Sequence, residues 1–397
     1  MKKKILIFSH ALELGGAERS LIGLLNAIDP AVCDVDLFLM RHEGELMSMI
    51  PSYVHLLPQI SAYTVLARPM KDTLKEGHFL LTAARLAGKF CAKYYEKKHR
   101  FTDSGVSLEY SHKFTCPFMP KVQPGTEYDL AISFLTPHYF VAQKVLAKKK
   151  IAWIHTDYTR VQVNVQSELA MWSAYDYIAS ISPAVTDSFL SVFQTLTDKI
   201  VLIENILPME LIRKQAAEPA IGMDFDGIKL LSIGRFCTAK NFDNVPDICS
   251  RLVSAGLNVR WYLIGFGGDE ALIRQKIQES EMSGHVIVLG KKDNPYPYIK
   301  ACDLYVQPSR YEGKCVTVRE AQSLGKPVII TNYATASSQL EDGVDGLIVP
   351  LDNEKCAEGI RELLQDSARL EKLVQSCQEH DYSNALEVQK LYRMMEN

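Results

Sequence analysis

Short apolar runs rich in valine and isoleucine, each followed by a polar or glycine-containing turn, constrain the fold of this chain most. Nearly continuous apolar runs are typical of strands buried on both faces, as in a parallel sheet. Amphipathic segments lie between them, and their alternation with the runs predicts an α/β protein with doubly wound parallel sheets. The predicted strands span residues 5–8, 35–40, 128–135, 151–155, 175–182 and 200–205 in the first half and 228–234, 259–265, 285–290, 302–309 and 327–331 in the second.

The alternation is interrupted between about residues 205 and 227, where two prolines and two glycines occur and no strand pattern is present. A chain of 397 residues also exceeds the roughly 250–300 at which a single core stops growing. We therefore predict a Rossmann-like domain over residues 1–205, a linker over 206–227 and a second Rossmann-like domain over 228–380. Ligands of open α/β sheets bind beyond the carboxyl ends of the strands, so we expect the two domains to share one ligand across a cleft.

Composition and charge exclude several classes of protein. A net charge of −3 gives no sign of nucleic-acid binding. The nine cysteines are scattered without a C-x-x-C pair, which argues against a zinc site or a disulfide framework and for a reducing compartment. The apolar run after the first lysines is too short for a signal peptide, and no stretch approaches the ~18 apolar residues of a membrane span. We predict a cytoplasmic protein.

Two glycine- or cation-bearing turns follow predicted strands. Gly15 and Gly16 stand between the first strand and a helix, where backbone N–H groups can approach an anion. Arg235 and Lys240 follow the strand at 228–234, and both side chains suit phosphate. A ligand-free turn and a pair of solvated cations remain the alternatives at these two places.

The most informative stretch is SRYEGKCVTVREA, residues 309–321, which holds Glu312 and Glu320 on either side of a predicted helix start. A helix N-terminus attracts an anion, and the two carboxylates are suited to accept hydrogen bonds from hydroxyls attached to that anion. A phosphate flanked by hydroxyls on both sides describes a nucleotide sugar. The alternative is one exposed glutamate and one helix-capping glutamate.

Weaker candidates are also present. The glycines of IGFGGDE (264–270) miss the dinucleotide fingerprint, because Glu270 stands where its third glycine belongs. The D-x-D segments at 34–36 and 224–226 are interpreted as structural. His155 ends a strand: a lone histidine is more often a packed or capped residue, but the strand-end position raises the odds that it lines the cleft. An i, i+4 stripe predicts either a solvated helix or contact with an anionic membrane. It consists of Arg85, Lys89, Lys93 and Lys97.

Taken together, the chain resembles the retaining glycosyltransferases of family 4, which have the GT-B fold. The resemblance covers nearly the whole chain and is carried by GGAER, by GR-x4-K, and by E-x7-E followed by A-x-x-x-G-K-P-V-I. It implies an acceptor domain followed by a nucleotide-sugar donor domain, with a helical segment over 381–397 that returns toward the first domain. It also implies transfer of a hexosyl unit, without a metal or other cofactor. The donor would be a nucleoside diphosphate sugar, most simply a UDP-sugar.

The resemblance assigns roles to individual residues. Arg235 and Lys240 would hold the diphosphate, Glu312 the donor-sugar hydroxyls, Glu320 the ribose, and His155 would lie near the reacting centre. Residues with backbone or side chains near the donor would be Gly15, Gly16, Gly290, Lys291, Lys314, Val316 and Thr317. The implied catalytic set is Arg235, Lys240, Glu312 and His155.

One departure concerns Gly313-Lys314-Cys315, where the family usually has G-F-G. If the last of these positions requires a positive φ, a Cβ there costs roughly 1–2 kcal/mol and the loop path differs. The E-G-K form resembles enzymes of bacterial surface polysaccharides, such as capsule or exopolysaccharide. The family resemblance implies a glycan or lipid-linked saccharide acceptor, and a lipid-linked acceptor would place the enzyme at the inner face of the membrane. A non-catalytic GT-B partner subunit and a dinucleotide-dependent oxidoreductase remain as alternatives.

Overall fold

The computed structural model describes residues 2–102, 104–159 and 161–396. The chain forms two compact units. The first contains the residues up to Ile206 together with those from Ala385 onward, and the second is Leu207–Asn384.

Strands lie at or near every position predicted for them. They are β1 (Lys3–Ser9), β2 (Cys33–Leu39), β3 (His55–Leu56), β4 (Tyr128–Ser133), β5 (Ala147–Ile154), β6 (Tyr177–Ser180), β7 (Ile200–Leu202), β8 (Ile228–Ile233), β9 (Val259–Ile264), β10 (Val286–Gly290), β11 (Leu304–Gln307), β12 (Val328–Thr331) and β13 (Leu347–Val349). Only the short β3 and β13 lack a counterpart among the predicted strands.

Helices connect the strands, as the alternation predicts. They are α1 (Gly16–Ala27), α2 (Ser61–Thr64), α3 (Met70–Lys75), α4 (Phe79–His99), α5 (Val106–Thr115), α6 (Tyr139–Lys144), α7 (Val165–Ser173), α8 (Pro183–Val192), α9 (Met209–Gln215), α10 (Val245–Ser254), α11 (Glu270–Glu279), α12 (Tyr296–Ala301), α13 (Val316–Ser323), α14 (Asn353–Gln365), α15 (Ser367–Glu379) and α16 (Val388–Met394). None of the helices in the described ranges is long and apolar enough to cross a bilayer.

Each unit is built on one parallel sheet. The first has the order β3-β2-β1-β4-β5-β6-β7, and the second has the order β10-β9-β8-β11-β12-β13. In both sheets the strand order reverses direction beside the unit's first strand, β1 or β8. Ligands of doubly wound sheets bind at such a reversal, beyond the carboxyl ends of the strands. The fold class expected from the sequence is therefore confirmed as two Rossmann-like units.

The second sheet is buried on both faces. Along β9, Trp261 and Leu263 belong to one apolar cluster, whereas Tyr262 and Ile264 belong to the cluster on the other side. Alternate side chains of a strand point to opposite faces, so a strand that is covered on both sides needs apolar residues at every position. This requirement explains the continuous apolar runs in the sequence.

The segment expected as a linker, 206–227, lacks a strand but is not a free connection. It contains α9, and from Leu207 onward it packs as part of the second unit. Ile212 and Met223 are buried in the core of that unit. The backbone N–H of Leu207 donates to the carbonyl of Ser383 at 2.8 Å, which ties the beginning of the second unit to its end.

Candidate functional site

Three glycines bring the loops after β8 and β9 into close contact. A Cβ on Gly265 would lie 1.9 Å from the carbonyl oxygen of Gly234, and one on Gly267 would lie 2.2 Å from that of Phe236. The φ angles of Gly265 and Gly267 are +153° and +155°, which side chains rarely adopt. Loop packing thus accounts for Gly265 and Gly267 without a bound dinucleotide.

Lys240 folds back over the end of β8. Its Cε would lie 3.0 Å from a Cβ at Gly234, so the glycine leaves room for the lysine stem. Its ammonium Nζ lies 2.5 Å from Glu312 Oε1 and 3.7 Å from Cys315 Sγ. Burial alone would lower the pKa of Lys240, but the neighbouring Cys315 and Glu312 side chains outweigh burial and raise it. Lys240 is therefore a fixed positive charge at the carboxyl edge of the sheet.

Glu312 is held in place from two sides. Ser309 Oγ donates to its Oε1 at 2.6 Å, and Thr335 Oγ1 donates to its backbone carbonyl at 2.8 Å. Ser309 in turn accepts a hydrogen bond from Gln307 Nε2 at 2.9 Å, so the carboxylate is connected to the end of β11. Sequence analysis missed the roles of Ser309 and Thr335. Ser309 had one usable signal, its position at a strand end.

Cys315 caps α13 without strain. Its φ is −78° and its ψ is 106°, an ordinary extended conformation that any residue adopts. The carboxamide of Gln339 binds both of its backbone groups, accepting from the N–H at 2.6 Å and donating to the carbonyl at 3.2 Å. The strain considered for this position is therefore absent, and the departure from G-F-G is accommodated by the loop.

The start of α13 is available to an anion. No side chain caps its first turn, and the first residues, Val316 and Thr317, directly follow the Glu312 loop. Thr317 Oγ1 accepts a hydrogen bond from Tyr305 OH at 2.8 Å. The backbone N–H of Thr317 lies in the first turn of the helix. Uncompensated N–H groups at a helix N-terminus carry partial positive charge. Lys314, which is half-buried, lies in the same loop.

Arg235 differs from Lys240 in being exposed. Across the described ranges, its guanidinium has no hydrogen bond or ion pair. A neighbouring arginine is bound instead: Arg310 forms a two-bond pair with Asp243 at 2.9 and 2.8 Å. The loop after β8 therefore presents one engaged cation, Lys240, and one cation, Arg235, that has no partner among the described residues.

Glu320 is brought into a different environment from Glu312. It has no exposed surface, and its Oε1 accepts a hydrogen bond from Tyr296 OH on α12 at 2.9 Å. The two glutamates of E-x7-E therefore have separate partners. At the end of β10, Gly290 has a φ of +72° with open space where a Cβ would be, and Lys291 Nζ lies 5.3 Å from the centre of the Phe266 ring.

In the first unit, His155 follows β5 and contacts Phe134, with ring centres 4.7 Å apart. Burial lowers the pKa of His155 to about 3, so the imidazole is neutral at physiological pH. Its Nε2 is buried, and no residue that the structure describes provides it with a hydrogen-bond partner. At the end of β1, Gly15 is the N-cap of α1 and Gly16 is its first residue.

Three further histidines, missed from the sequence, occupy the same unit. The rings of His10 and His112 are 5.4 Å apart, and Nδ1 of His138 lies 2.8 Å from Ser133 Oγ. Burial lowers the pKa of His10 to about 4, and it also lowers the pKa values of His112 and His138 well below their usual value. His10 follows a strand, which is a detectable signal. Nothing in the local sequence distinguishes His112 or His138.

The depressed histidine pKa values predict acid sensitivity. The unfolded chain binds protons on these rings below about pH 6.5, whereas the folded chain resists protonation, so stability is lost as the pH falls from about 6.5 toward 4. The buried carboxyls Glu109 and Glu168, whose pKa values burial raises, act in the opposite sense. Each histidine contributes up to about 1.4 kcal/mol per pH unit.

Urea unfolding between about pH 7.5 and 5 isolates the histidine contribution. The free energy of unfolding of His112→Gln is expected to depend less steeply on pH than that of the wild type. Substitution of the exposed His99 with glutamine is the matched control and should leave the slope unchanged. Parallel slopes for all three proteins would contradict the assignment.

One member of the predicted basic stripe is not on a free surface. Arg85 Nη1 donates to the carbonyls of Val65 and Arg68, and burial lowers its pKa. The expectation that Arg85 contacts a membrane was wrong, because helix periodicity does not reveal tertiary contacts. Exposed Lys93 and Lys97 and half-buried Lys89 remain on α4.

Across residues 2–102, 104–159 and 161–396, no three His, Cys, Asp or Glu side chains form a group that could hold an ion. In the first D-x-D segment, Asp36 instead accepts from Tyr128 OH at 2.5 Å and pairs with His55. A structural role accounts for that aspartate.

Comparison with known proteins gives consistent results. Residues 214–380 match the family described as glycosyl transferases group 1. The chain is 26% identical over 151 residues to the lipopolysaccharide core biosynthesis glycosyltransferase LpsE of Rhizobium meliloti, covering 38% of this chain and 43% of that protein. It is 25% identical over 193 residues to a Campylobacter jejuni N-acetylgalactosaminyltransferase whose name specifies a diphospho-undecaprenol-linked saccharide. That match covers 48% of this chain and 51% of that protein. The chain thus spans about half or less of the length of these curated relatives.

Solved structures extend the likeness to the whole chain. Anabaena HepE in complex with UDP and glucose has a TM-score of 0.66 at 16% identity and covers 99% of both chains. A mutant of S. aureus TarM in complex with fondaparinux, alpha-GlcNAc-glycerol and UDP has a TM-score of 0.69 at 13% identity and covers 100% of both. The chain therefore has the GT-B fold, matches the group 1 glycosyl transferase family over residues 214–380, and resembles glycosyltransferases of bacterial surface polysaccharides.

Proposed function

We propose that the protein is a retaining glycosyltransferase that moves a hexosyl unit from a nucleoside diphosphate sugar, most simply a UDP-sugar, to a glycan or lipid-linked saccharide. The observation that carries this proposal is the Lys240–Glu312 pair, 2.5 Å apart, beside the uncapped start of α13 and the exposed Arg235. This is a concentrated anion site with a carboxylate at its edge. A diphosphate that bears hydroxyl-rich groups fits that combination.

In the reaction, the bond between the sugar and the diphosphate breaks and negative charge grows on the departing phosphate oxygen. Arg235, Lys240 and the N–H groups of Val316 and Thr317 stabilise that charge, which is the role of preorganised donors in a transition state. The acceptor hydroxyl attacks from the same face and loses its proton to the departing phosphate oxygen. These cations and the helix start supply the stabilisation without a metal ion.

Glu312 orients the sugar. Among the described residues, both hydrogen bonds to its carboxylate, from Lys240 and Ser309, are made to Oε1. Its second oxygen is therefore suited to accept a hydrogen bond from a donor-sugar hydroxyl. Burial lowers the pKa of His155 to about 3, so the role proposed for this residue is to contribute a hydrogen bond rather than a charge.

The comparisons support the donor and acceptor classes. HepE was crystallised with UDP-glucose, and TarM with UDP and a glycerol glycoside. The Campylobacter relative is named for an undecaprenol-linked acceptor. A lipid-linked acceptor would place this enzyme at the inner face of the membrane, in the synthesis of a surface polysaccharide such as capsule or exopolysaccharide.

The two alternatives are weaker on physical grounds. A non-catalytic partner subunit was suggested by Cys315, but its extended conformation removes the strain on which that argument rested. A dinucleotide-dependent oxidoreductase would need a glycine-rich phosphate loop, and two of the glycines after β9, Gly265 and Gly267, are accounted for by their contacts with Gly234 and Phe236.

Calorimetry with UDP, GDP, ADP, TDP and NAD tests the donor class and the role of Glu320 together. The wild type is expected to bind a nucleoside diphosphate, UDP most tightly, and not NAD. Glu320→Gln is expected to weaken UDP binding about tenfold or more, because a hydrogen bond to a charged acceptor is worth about 1.5–3 kcal/mol.

Two variants are the controls for that experiment. Glu354→Gln changes an exposed glutamate of α14 and should leave affinity unchanged. Tyr296→Phe removes the hydroxyl that binds Glu320 but keeps the carboxylate, so it separates loss of the contact from loss of the charge. Equal UDP affinity in wild type and E320Q would rule out the ribose role. Binding of NAD alone would favour the oxidoreductase.

A further inference from the structure

Helix α4 presents a stripe of large apolar side chains outward. Phe79, Leu86, Phe90 and Tyr94 are 66%, 44%, 66% and 73% exposed. Their spacing places them on one face of the helix. At a rise of 1.5 Å per residue, the stripe is roughly 22 Å long. Monomeric proteins rarely expose contiguous apolar surfaces of this kind unless the surface binds something.

The opposite face of α4 is already occupied. Leu81, Gly88 and Ala92 are buried, and a Cβ on Gly88 would lie 2.8 Å from the carbonyl oxygen of Tyr110 on α5. The two helices therefore pack closely through small residues. This packing fixes the orientation of α4 and holds the aromatic stripe away from the core.

An aromatic groove borders the stripe. It has a volume of about 530 Å³ and lies between α4 and α5. Its lining includes Phe90, Tyr94, Tyr110 and Phe114, with Lys113 Nζ 5.5 Å from the centre of the Tyr110 ring. An apolar groove with a cation at its rim suits a chain-like apolar ligand attached to an anionic group.

Positive charge is concentrated at one end of the same helix. Lys93, Lys97, Lys98 and Arg100 are exposed, and Glu96 is the single acidic residue of α4. A second copy of α4 would bring no cluster of carboxylates to pair with these cations. An anionic lipid surface would satisfy both the cations and the apolar stripe.

We propose that α4 is a membrane-docking helix that lies in the plane of an anionic bilayer surface. Phe79, Leu86, Phe90 and Tyr94 enter the boundary between headgroups and acyl chains, as the apolar side of an interfacial helix does. Lys93, Lys97 and Lys98 extend toward lipid phosphates, with their stems along the apolar surface. This inference concerns a surface outside the candidate donor site and does not depend on the sugar transferred.

Vesicle co-sedimentation of the full chain tests the proposal. The vesicles contain phosphatidylcholine alone or phosphatidylcholine with phosphatidylglycerol. The wild type is expected to sediment with the anionic vesicles at low salt and to be released at high salt. Lys93→Glu/Lys97→Glu is expected to weaken binding about 25-fold or more, since each cation near an anionic surface is worth about fivefold in affinity. Leu86→Glu/Phe90→Glu is expected to abolish it.

Matched controls carry the same chemical changes elsewhere. Lys355→Glu/Lys372→Glu alters two exposed lysines of the second unit, and Ile221→Glu/Leu272→Glu alters two exposed apolar residues there. Both are expected to bind like the wild type. Circular dichroism verifies that every variant is folded.

Three outcomes would overturn the proposal. One is wild-type protein that remains in the supernatant with anionic vesicles at low salt. Another is equal binding by the α4 variants and their controls. The third is a dimer in sedimentation velocity that dissociates on Leu86→Glu/Phe90→Glu while vesicle binding is absent, which would assign the stripe to self-association.

Discussion

Arg235→Ala is expected to reduce turnover about 10²–10³-fold, the usual cost of losing one donor to a developing negative charge. The free energy of unfolding should stay within about 0.5 kcal/mol of the wild type, as is usual for surface substitutions. The reason is structural: Arg235 is exposed and, in the described part of the chain, has no partner that its loss would leave unpaired. Steady-state kinetics and urea unfolding of the same preparation measure both quantities.

Arg369→Ala is the matched control, because Arg369 is also exposed but lies on α15. It should change neither turnover nor stability. Arg310→Ala provides the contrast, since it removes a two-bond pair with Asp243 and should lower stability. Wild-type turnover by folded R235A would show that Arg235 does not bind the diphosphate.

Lys240→Met is expected to lower both turnover and stability. Methionine keeps the apolar stem that packs over Gly234 but leaves Glu312, only 12% exposed at its side chain, without its cation. Removing one member of a largely buried pair costs about 3 kcal/mol. Turnover should fall about 10²-fold or more, because a fixed positive charge at the leaving group is lost.

A double-mutant cycle separates the two effects of Lys240. Glu312→Gln in the Lys240→Met background removes the uncompensated carboxylate, so stability should recover, with a coupling of about 1–3 kcal/mol between the two sites. Turnover should not recover, because neither the charge for the phosphate nor the carboxylate for the sugar is restored. Additive stability losses would mean that the pair is not formed. Recovered turnover would mean that Lys240 serves only to neutralise Glu312.

The fold was predictable because its main signal is local. A strand covered on both faces must be apolar at successive positions, as β9 illustrates with Trp261 through Ile264. The strands β3 and β13 were not predicted, because a run as short as His55–Leu56 carries no periodicity. Residues 206–227 were predicted as a linker, since nothing local shows that Ile212 and Met223 are buried in the core of the second unit.

Part of the site was predictable, because the signals for that part are also local. Lys240 and Glu312 are 72 residues apart, but each follows a strand end, and neighbouring parallel strands bring their ends to one edge. The burial of Glu320 and its bond from Tyr296 depend on how α12 and α13 pack, which no spacing encodes. The same limit applies to Arg85, whose guanidinium donates hydrogen bonds to two backbone carbonyls that are distant in the sequence. The backbone angle of Cys315 also required the structure.

The return of α16 to the first unit has a consequence for synthesis of the protein. Chains emerge from the ribosome N-terminus first, at about 5–20 residues per second. Yet Tyr392 accepts a hydrogen bond from the Asp29 N–H at 2.8 Å, and Lys390 Nζ donates to the Leu202 carbonyl at 2.7 Å. The unit that emerges first is therefore completed only after the whole second unit has been translated. The second unit, whose Leu207 and Ser383 are bonded to each other, needs no residue beyond Asn384 to join its two ends.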